Sequence, residues 1–177
     1  ARTALVASFA VIVNGMFTGR SANGALDPIL VRAAVLEAGT TRIAFAVVDS
    51  CMVSRATLDR AKQAASRTTG IPVERMLVSS THTHSAPSEM GCLGSDPDPD
   101  YPAFLEKRIR EALEKAAASL VPAEVGWAVV SAPEHTYCRR WILRPDKIRN
   151  DPFGVRNVRA MMHPGYQNPD FIAPAGP

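Results

Sequence analysis

The sequence predicts an α/β fold, a mixed sheet with at least two helices packed on it. Three observations carry that prediction. A strand–helix–strand order runs from Arg42 to Ser79, the arrangement that favours a parallel pair. Residues Ala103 to Leu120 carry a single apolar stripe at helical spacing. The composition, 46% hydrophobic and 21% charged over 177 residues, is that of a folded chain able to bury a core, which excludes wholesale disorder.

The elements follow in order. The run Ala4 to Val13 is apolar behind Arg2 and ends in Asn14-Gly15 without a small-x-small cleavage pattern. It reads as a buried first strand rather than the tail of a secretory signal. Ile29 to Leu36 and Arg42 to Val48 are strands joined by the turn Ala38-Gly39-Thr40-Thr41. The second is almost wholly apolar, the pattern of a strand buried on both faces. Ser54 is the N-cap of a helix through about Ser66, closed by Thr68-Thr69-Gly70, and Arg75 to Ser79 is the next strand. After a loop from Gly91 to Pro102, the helix from Ala103 to Leu120 buries Phe104, Leu105, Ile109, Ala112, Leu113 and Ala116. Glu124 to Val130 and His135 to Leu143 read as strands. Arg144 to Pro177 reads as loop punctuated by proline.

The chain begins at Ala1 and stops in a Pro/Gly-rich turn, so the expectation is the truncated N-terminal part of a larger domain. Net charge is +3, from 20 Lys and Arg against 17 Asp and Glu, too small an excess to indicate nucleic acid. No run approaches the length of a membrane-spanning helix. Cys51, Cys92 and Cys138 are odd in number and form no CxxC pair, so neither a disulfide framework nor a zinc ribbon is indicated.

Chemistry concentrates at Ser80-Thr81-His82-Thr83-His84-Ser85, beyond the end of a strand. In open α/β sheets, binding sites gather beyond the carboxyl ends of strands. Residues i and i+2 of an extended segment share a face, so His82 and His84 put two imidazoles on one side. Two neutral imidazoles can hold a divalent ion such as zinc, or one can hold it while the other handles protons. The pair also reads as ordinary loop histidines. Two ligands do not complete a zinc site, and the further candidates Asp49, His135 and His163 have no diagnostic spacing. Arg139 and Arg140 are adjacent, so only one can face such a site, where it would hold a carboxylate or oxyanion. Two surface arginines are the plainer reading. Lys147, Arg149, Arg156 and Arg159 give the late segment a positive bias, read as a solvated loop.

Thr81-His82-Thr83-His84-Ser85-Ala86-Pro87, after Gly70-Ile71-Pro72 and the strand Met76 to Ser80, resembles the N-terminal domain of neutral/alkaline non-lysosomal ceramidases. Asp27 to Ala33, Val47 to Ser50, Cys138-Arg139-Arg140-Trp141 and Asn168-Pro169 through Pro177 fit the same family in order, like its bacterial members. The resemblance implies that residues 1–177 are the N-terminal part of a zinc-dependent amidohydrolase domain. Such an enzyme cleaves ceramide to a sphingoid base and a fatty acid. It assigns His82 as a zinc ligand and His84 as a substrate-contacting or proton-handling histidine. Arg139 takes the place of an oxyanion-stabilising arginine, although Cys138 stands where asparagine is usual. Asp49 becomes a neighbour of the site. The family's other ligands, a second His and then Glu and Tyr, lie beyond Pro177, so residues 1–177 alone are expected to be inactive. The implied partner is a lipid or other small N-acyl substrate, and the family leans towards export. Two other functions remain open, a metal-dependent hydrolase of a soluble amide or ester and a non-catalytic ligand-binding module.

Overall fold

Gly39, in a left-handed conformation (φ 57°), turns the chain between its two longest strands. The computed structural model describes residues 1–5, 11–162 and 168–176, and divides them into two compact units, 1–123 and 124–177.

The first unit contains β1 (Arg2–Leu5), β2 (Ile12–Val13), β3 (Arg20–Ser21), β4 (Ile29–Ala38), β5 (Thr41–Val48), α1 (Arg55–Thr69), β6 (Met76–Ser80) and α2 (Tyr101–Ala118). Its main sheet has the order β1-β4-β5-β6. β4 and β5 form the expected antiparallel hairpin, with Ala38 opposite Thr41. β5 and β6 form the expected parallel pair, with Val48 opposite Ser80. The mixed sheet with two helices is therefore present. The single first strand expected over Ala4 to Val13 is not: β1 pairs with β4, while β2 pairs with β3. Residues 6–10 of that run lie outside the described residues.

α1 is bounded by its own sequence. Ser54 Oγ accepts from the Thr57 amide at 3.3 Å. At the other end Gly70, at φ 71°, donates its amide to the Ser66 carbonyl. That left-handed glycine ends the helix without the penalty a Cβ would bring. α2 starts at Tyr101 and stops at Ala118, two residues earlier at each end than its pattern predicts. Leu105, Ile109, Ala112, Leu113 and Ala116 are buried as expected. With Ala61 and Ala65 of α1 they join Val31, Ala33, Ala44, Ala46, Val48 and Val78 of the sheet in one core. The alanines on α1 present no long side chain, so that helix can sit close to its neighbours.

One expectation about this core is corrected. β5 is not buried on both faces: Ala44, Ala46 and Val48 are buried, but Phe45 and Val47 are 36% and 38% exposed. On β6, Leu77 is 61% exposed, while Met76 and Val78 are buried. Both helices contribute their buried residues to the core that holds Ala44 and Val78, and the alternate residues of the strands face away from it.

The second unit contains β7 (Arg140–Leu143), β8 (Arg149–Asn150), β9 (Arg156–Val158), β10 (Ala160–Met162) and β11 (Phe171–Pro174). β7 lies between β10 and β11, antiparallel to both, and β8 pairs with β9. Three expectations change here. Glu124 to Val130 forms no ladder, and Trp127 is 88% exposed. The strand expected from His135 begins only at Arg140, because Pro133–His135 makes a tight 3-10 turn. The segment after Arg144 is not plain loop: two- to four-residue strands form around its turns. One such turn is built by Asp151, whose carboxylate accepts the amides of Phe153 and Val155 at 2.9 Å.

Candidate metal centre

The parallel register of β5 and β6 places the ends of the two strands side by side, Val48 opposite Ser80. Beyond those ends Cys51 stands three residues on and His82 two. The Thr81 amide bonds back to the Val48 carbonyl at 2.9 Å, continuing the pairing one step into the loop. Here Cys51, His82 and His84 come together, with one ligand atom from each lying within 4.8 Å of the others. Cys51 is buried, His84 half-buried and His82 exposed.

The two imidazoles meet for a different reason than the sequence suggests. β6 ends at Ser80, and His82 has φ 62°, in the left-handed region. The alternation of an extended strand therefore does not apply across Thr81 to His84. A kink at His82 brings the rings together instead, edge to face with centroids 4.9 Å apart. A non-glycine residue in this conformation costs about 1–3 kcal/mol, and such strain gathers at functional sites.

The hydrogen bonds prepare the donors. His82 Nδ1 lies 2.9 Å from the Cys51 carbonyl oxygen. A carbonyl only accepts, so Nδ1 carries the proton and Nε2 keeps its lone pair. Metal-binding histidines are oriented in this way. The Cys51 Sγ is 3.8 Å from the same Nδ1. Burial, and secondarily the charge of Cys92, pushes the Cys51 thiol up from its ordinary pKa, so without an ion it is a neutral thiol. The donor set, two imidazoles and one thiol, suits a borderline-soft divalent ion, and this group could hold a metal ion.

The loop that carries the histidines is held by neighbours on every side. Asn14 donates its backbone amide to the Ala86 carbonyl at 3.3 Å, and its Nδ2 donates to the Met90 carbonyl at 3.0 Å. The Ser88 amide donates to the Ile12 carbonyl at 2.7 Å. Arg20 donates to the His84 carbonyl. Gly15 lies against the His84 ring so closely that a Cβ there would be 2.6 Å from Cγ. Glu89, buried, reaches the N-terminus of α1: it accepts from the Ser54 amide at 2.6 Å, from Ser54 Oγ at 2.9 Å and from Thr57 Oγ1 at 2.5 Å.

The other candidates are not among these three donors. The Asp49 carboxylate is engaged by β4, accepting from the Leu30 amide at 3.0 Å and from Arg32 at 2.7 Å. It locks the β4–β5 hairpin and is not among the three clustered donors. His135 sits in the second unit beside Glu134, 3.7 Å away. Arg139 belongs to the same unit, immediately before β7, whose first residue is Arg140. His163 lies outside the described residues. Cys51 is the donor that sequence reasoning missed. Its signal was available: the motif Asp49-Ser50-Cys51 ends the strand that runs parallel to the one before His82. Comparison with family models, with curated proteins and with solved structures finds nothing that matches this chain.

Proposed function

We propose that this chain is part of a metal-dependent hydrolase that cleaves an N-acyl amide bond, with zinc as the ion and a ceramide-like lipid as the substrate. The observation that carries the metal is the convergence of two imidazoles and a thiol beyond the carboxyl ends of two parallel strands. The N-acyl substrate rests on the resemblance of the Thr81 to Pro87 segment to ceramidases.

A bound zinc ion supplies Lewis acidity at such a site, polarising an acyl carbonyl and easing the deprotonation of water. His82 holds the ion through Nε2, its other nitrogen being committed to the Cys51 carbonyl. His84, 4.9 Å away ring to ring, is able to bind the ion or to take the proton from an attacking water. The small and hydroxylic residues between and beside them, Thr83 with Thr81 and Ser85, leave room for a ligand. Arg139 is the residue the resemblance gives to the developing oxyanion.

The test uses the full-length reading frame to which residues 1–177 belong. About one zinc per chain, lost in His82→Ala, is expected. Release of fatty acid from a ceramide should fall to background on chelation and return with zinc. Arg139→Lys should lower kcat by about 10²-fold or more if that residue holds the oxyanion. Hydrolysis of short soluble N-acyl compounds without ceramide would move the substrate class. A folded protein that takes up no zinc would overturn the reading.

A further inference from the structure

Positive charge is spread unevenly along the chain. Residues 144–159 carry five Lys and Arg against two Asp, a net +3, which equals the net charge of all 177 residues. This stretch holds the β8–β9 hairpin of the second unit, with Arg149 opposite Val158 and Asn150 opposite Arg156. Its turn, Asp151-Pro152-Phe153-Gly154-Val155, lacks the polar apex of a solvated loop. Phe153 is 91% exposed and Val155 56%.

The apex is fixed by hydrogen bonds. One Asp151 carboxylate oxygen accepts the Phe153 and Val155 amides, and the other accepts from Asn157 Nδ2 at 2.8 Å. The Asp151 amide donates to the Val155 carbonyl at 2.8 Å, and Gly154 takes a φ of 87°. The apolar pair is therefore held at the tip before any partner arrives, which lowers the ordering cost of docking. The same bonds occupy the one acidic group at the apex. Behind it, Asp146 pairs with Arg144 at 3.2 Å and Asp170 with Lys147 at 3.7 Å. Arg156 donates to the Ile148 and Asp146 carbonyls and keeps its full charge. Among the described residues no carboxylate pairs with Arg149 or Arg159, and both are exposed.

We propose that the β8–β9 hairpin docks on an anionic lipid bilayer, with Phe153 entering the headgroup layer and Arg149, Arg156 and Arg159 meeting the anionic headgroups. The inference does not use the metal or the substrate of the reading above. Arg156 is three residues from Phe153 and Arg149 four, so at most about 14 Å of chain separates either from the apex. The headgroup layer of one leaflet is roughly 5–8 Å deep, and an arginine side chain reaches across the difference. The negative surface potential attracts the cations, and burial of the apolar tip adds to that attraction. A nucleic acid would meet the same cations but has no apolar layer to receive Pro152 and Val155 beside the ring.

The experiment is flotation of the full-length protein with vesicles, one set of phosphatidylcholine and one of equal parts phosphatidylcholine and phosphatidylserine. Binding to the anionic set alone, falling as salt is raised, is the expected result. Phe153→Ser should weaken it about tenfold, and Arg149→Gln and Arg159→Gln about fivefold each. Thermal unfolding should be unchanged in all three, because these side chains are exposed. Phe153→Trp should bind and be quenched by bromine-labelled lipid more than the unmutated protein, which reports entry of the apex itself. Absence of binding to the anionic vesicles, or equal binding to both sets, would overturn the proposal. So would binding that all these variants retain, since it would belong to another surface. Binding of polyuridine RNA through the same residues, without any binding to vesicles, would overturn it in favour of a nucleic acid. None of these outcomes alters the zinc content or the fatty-acid release that test the hydrolase reading.

Discussion

Gly15 shows how closely the surroundings of His84 are built. Its φ of 106° is open only to glycine, and a Cβ would fall 2.6 Å from His84 Cγ and 2.9 Å from Cβ and Cδ2. Gly15→Ala should therefore displace the His84 ring. The expected outcome is a loss of about 1–3 kcal/mol of stability together with weakened Zn²⁺ binding, read by denaturant unfolding and metal competition. A loss of stability with unaltered metal affinity would show that His84 is not held by this contact. Tyr101 makes the opposite case, a residue whose polar atom does not help the fold. It is buried, and among the described residues its hydroxyl has no hydrogen-bond partner. Burial first, and then the charges of Asp49, Glu89 and Asp98, raise its pKa well above the usual tyrosine value. A raised folded pKa on an acid that is neutral when protonated means the folded state holds its proton longer than the unfolded state. That contribution is fully present below the unfolded pKa of about 10 and is lost as pH rises beyond it. Tyr101→Phe should raise stability at neutral pH by about 1 kcal/mol and flatten the loss above pH ~10, measured by thermal unfolding across that range.

At the scale of elements, α1 depends on a residue far from it in sequence. The helix has no acidic residue in its first turn, and Glu89 supplies that charge from the histidine-bearing loop. A carboxylate at a helix N-terminus interacts favourably with the helix dipole and with its unpaired amides. Removing it leaves the Ser54 amide and the Thr57 hydroxyl without that acceptor, while the Ser54 hydroxyl keeps Thr57 Oγ1 at 3.0 Å. Glu89→Ala should cost about 3 kcal/mol in denaturant unfolding, and Glu89→Gln, which keeps one acceptor oxygen, less. The same contact ties the loop to the core, so Glu89→Ala should also weaken Zn²⁺ binding. If the metal affinity is untouched, the loop is positioned by its other contacts, those of Ile12, Asn14, Gly15 and Arg20.

For the whole molecule, the two units offer a proteolytic test. From Val121 to Ser131 the chain is without helix or ladder, and Val125, Trp127, Val129 and Val130 are exposed. Backbone of this kind is cut in preference to paired strands and helices. Limited proteolysis should cleave first between Val121 and Ser131 and leave a resistant fragment ending near Ala123. First cuts inside α1 or α2 would contradict that division. The exposed Phe45, Val47 and Leu77 belong to the resistant part, on the strand faces turned away from the core.

The sequence by itself determined the local elements with strong signals: the Gly39 turn, the Ser54 and Gly70 caps, the stripe of α2 and the parallel β5–β6 pair. The turn, the caps and the stripe depend on steric limits and periodicity within a few residues, and the parallel pair on the strand–helix–strand order. It also marked His82 and His84, because two histidines one residue apart beyond a strand are visible without a fold. Tertiary structure decided the rest. Whether Glu124 to Val130 is a strand depends on a hydrogen-bonding partner, which an alternating pattern cannot supply. Which face of β5 is covered depends on where the helices pack. Cys51 entered the site because the register of two parallel strands aligned two segments some thirty residues apart, and Asp49 left it because Arg32 and Leu30 took its carboxylate. Hydrogen-bond partners and close approach between distant residues are properties of the folded chain, and they chose the donors.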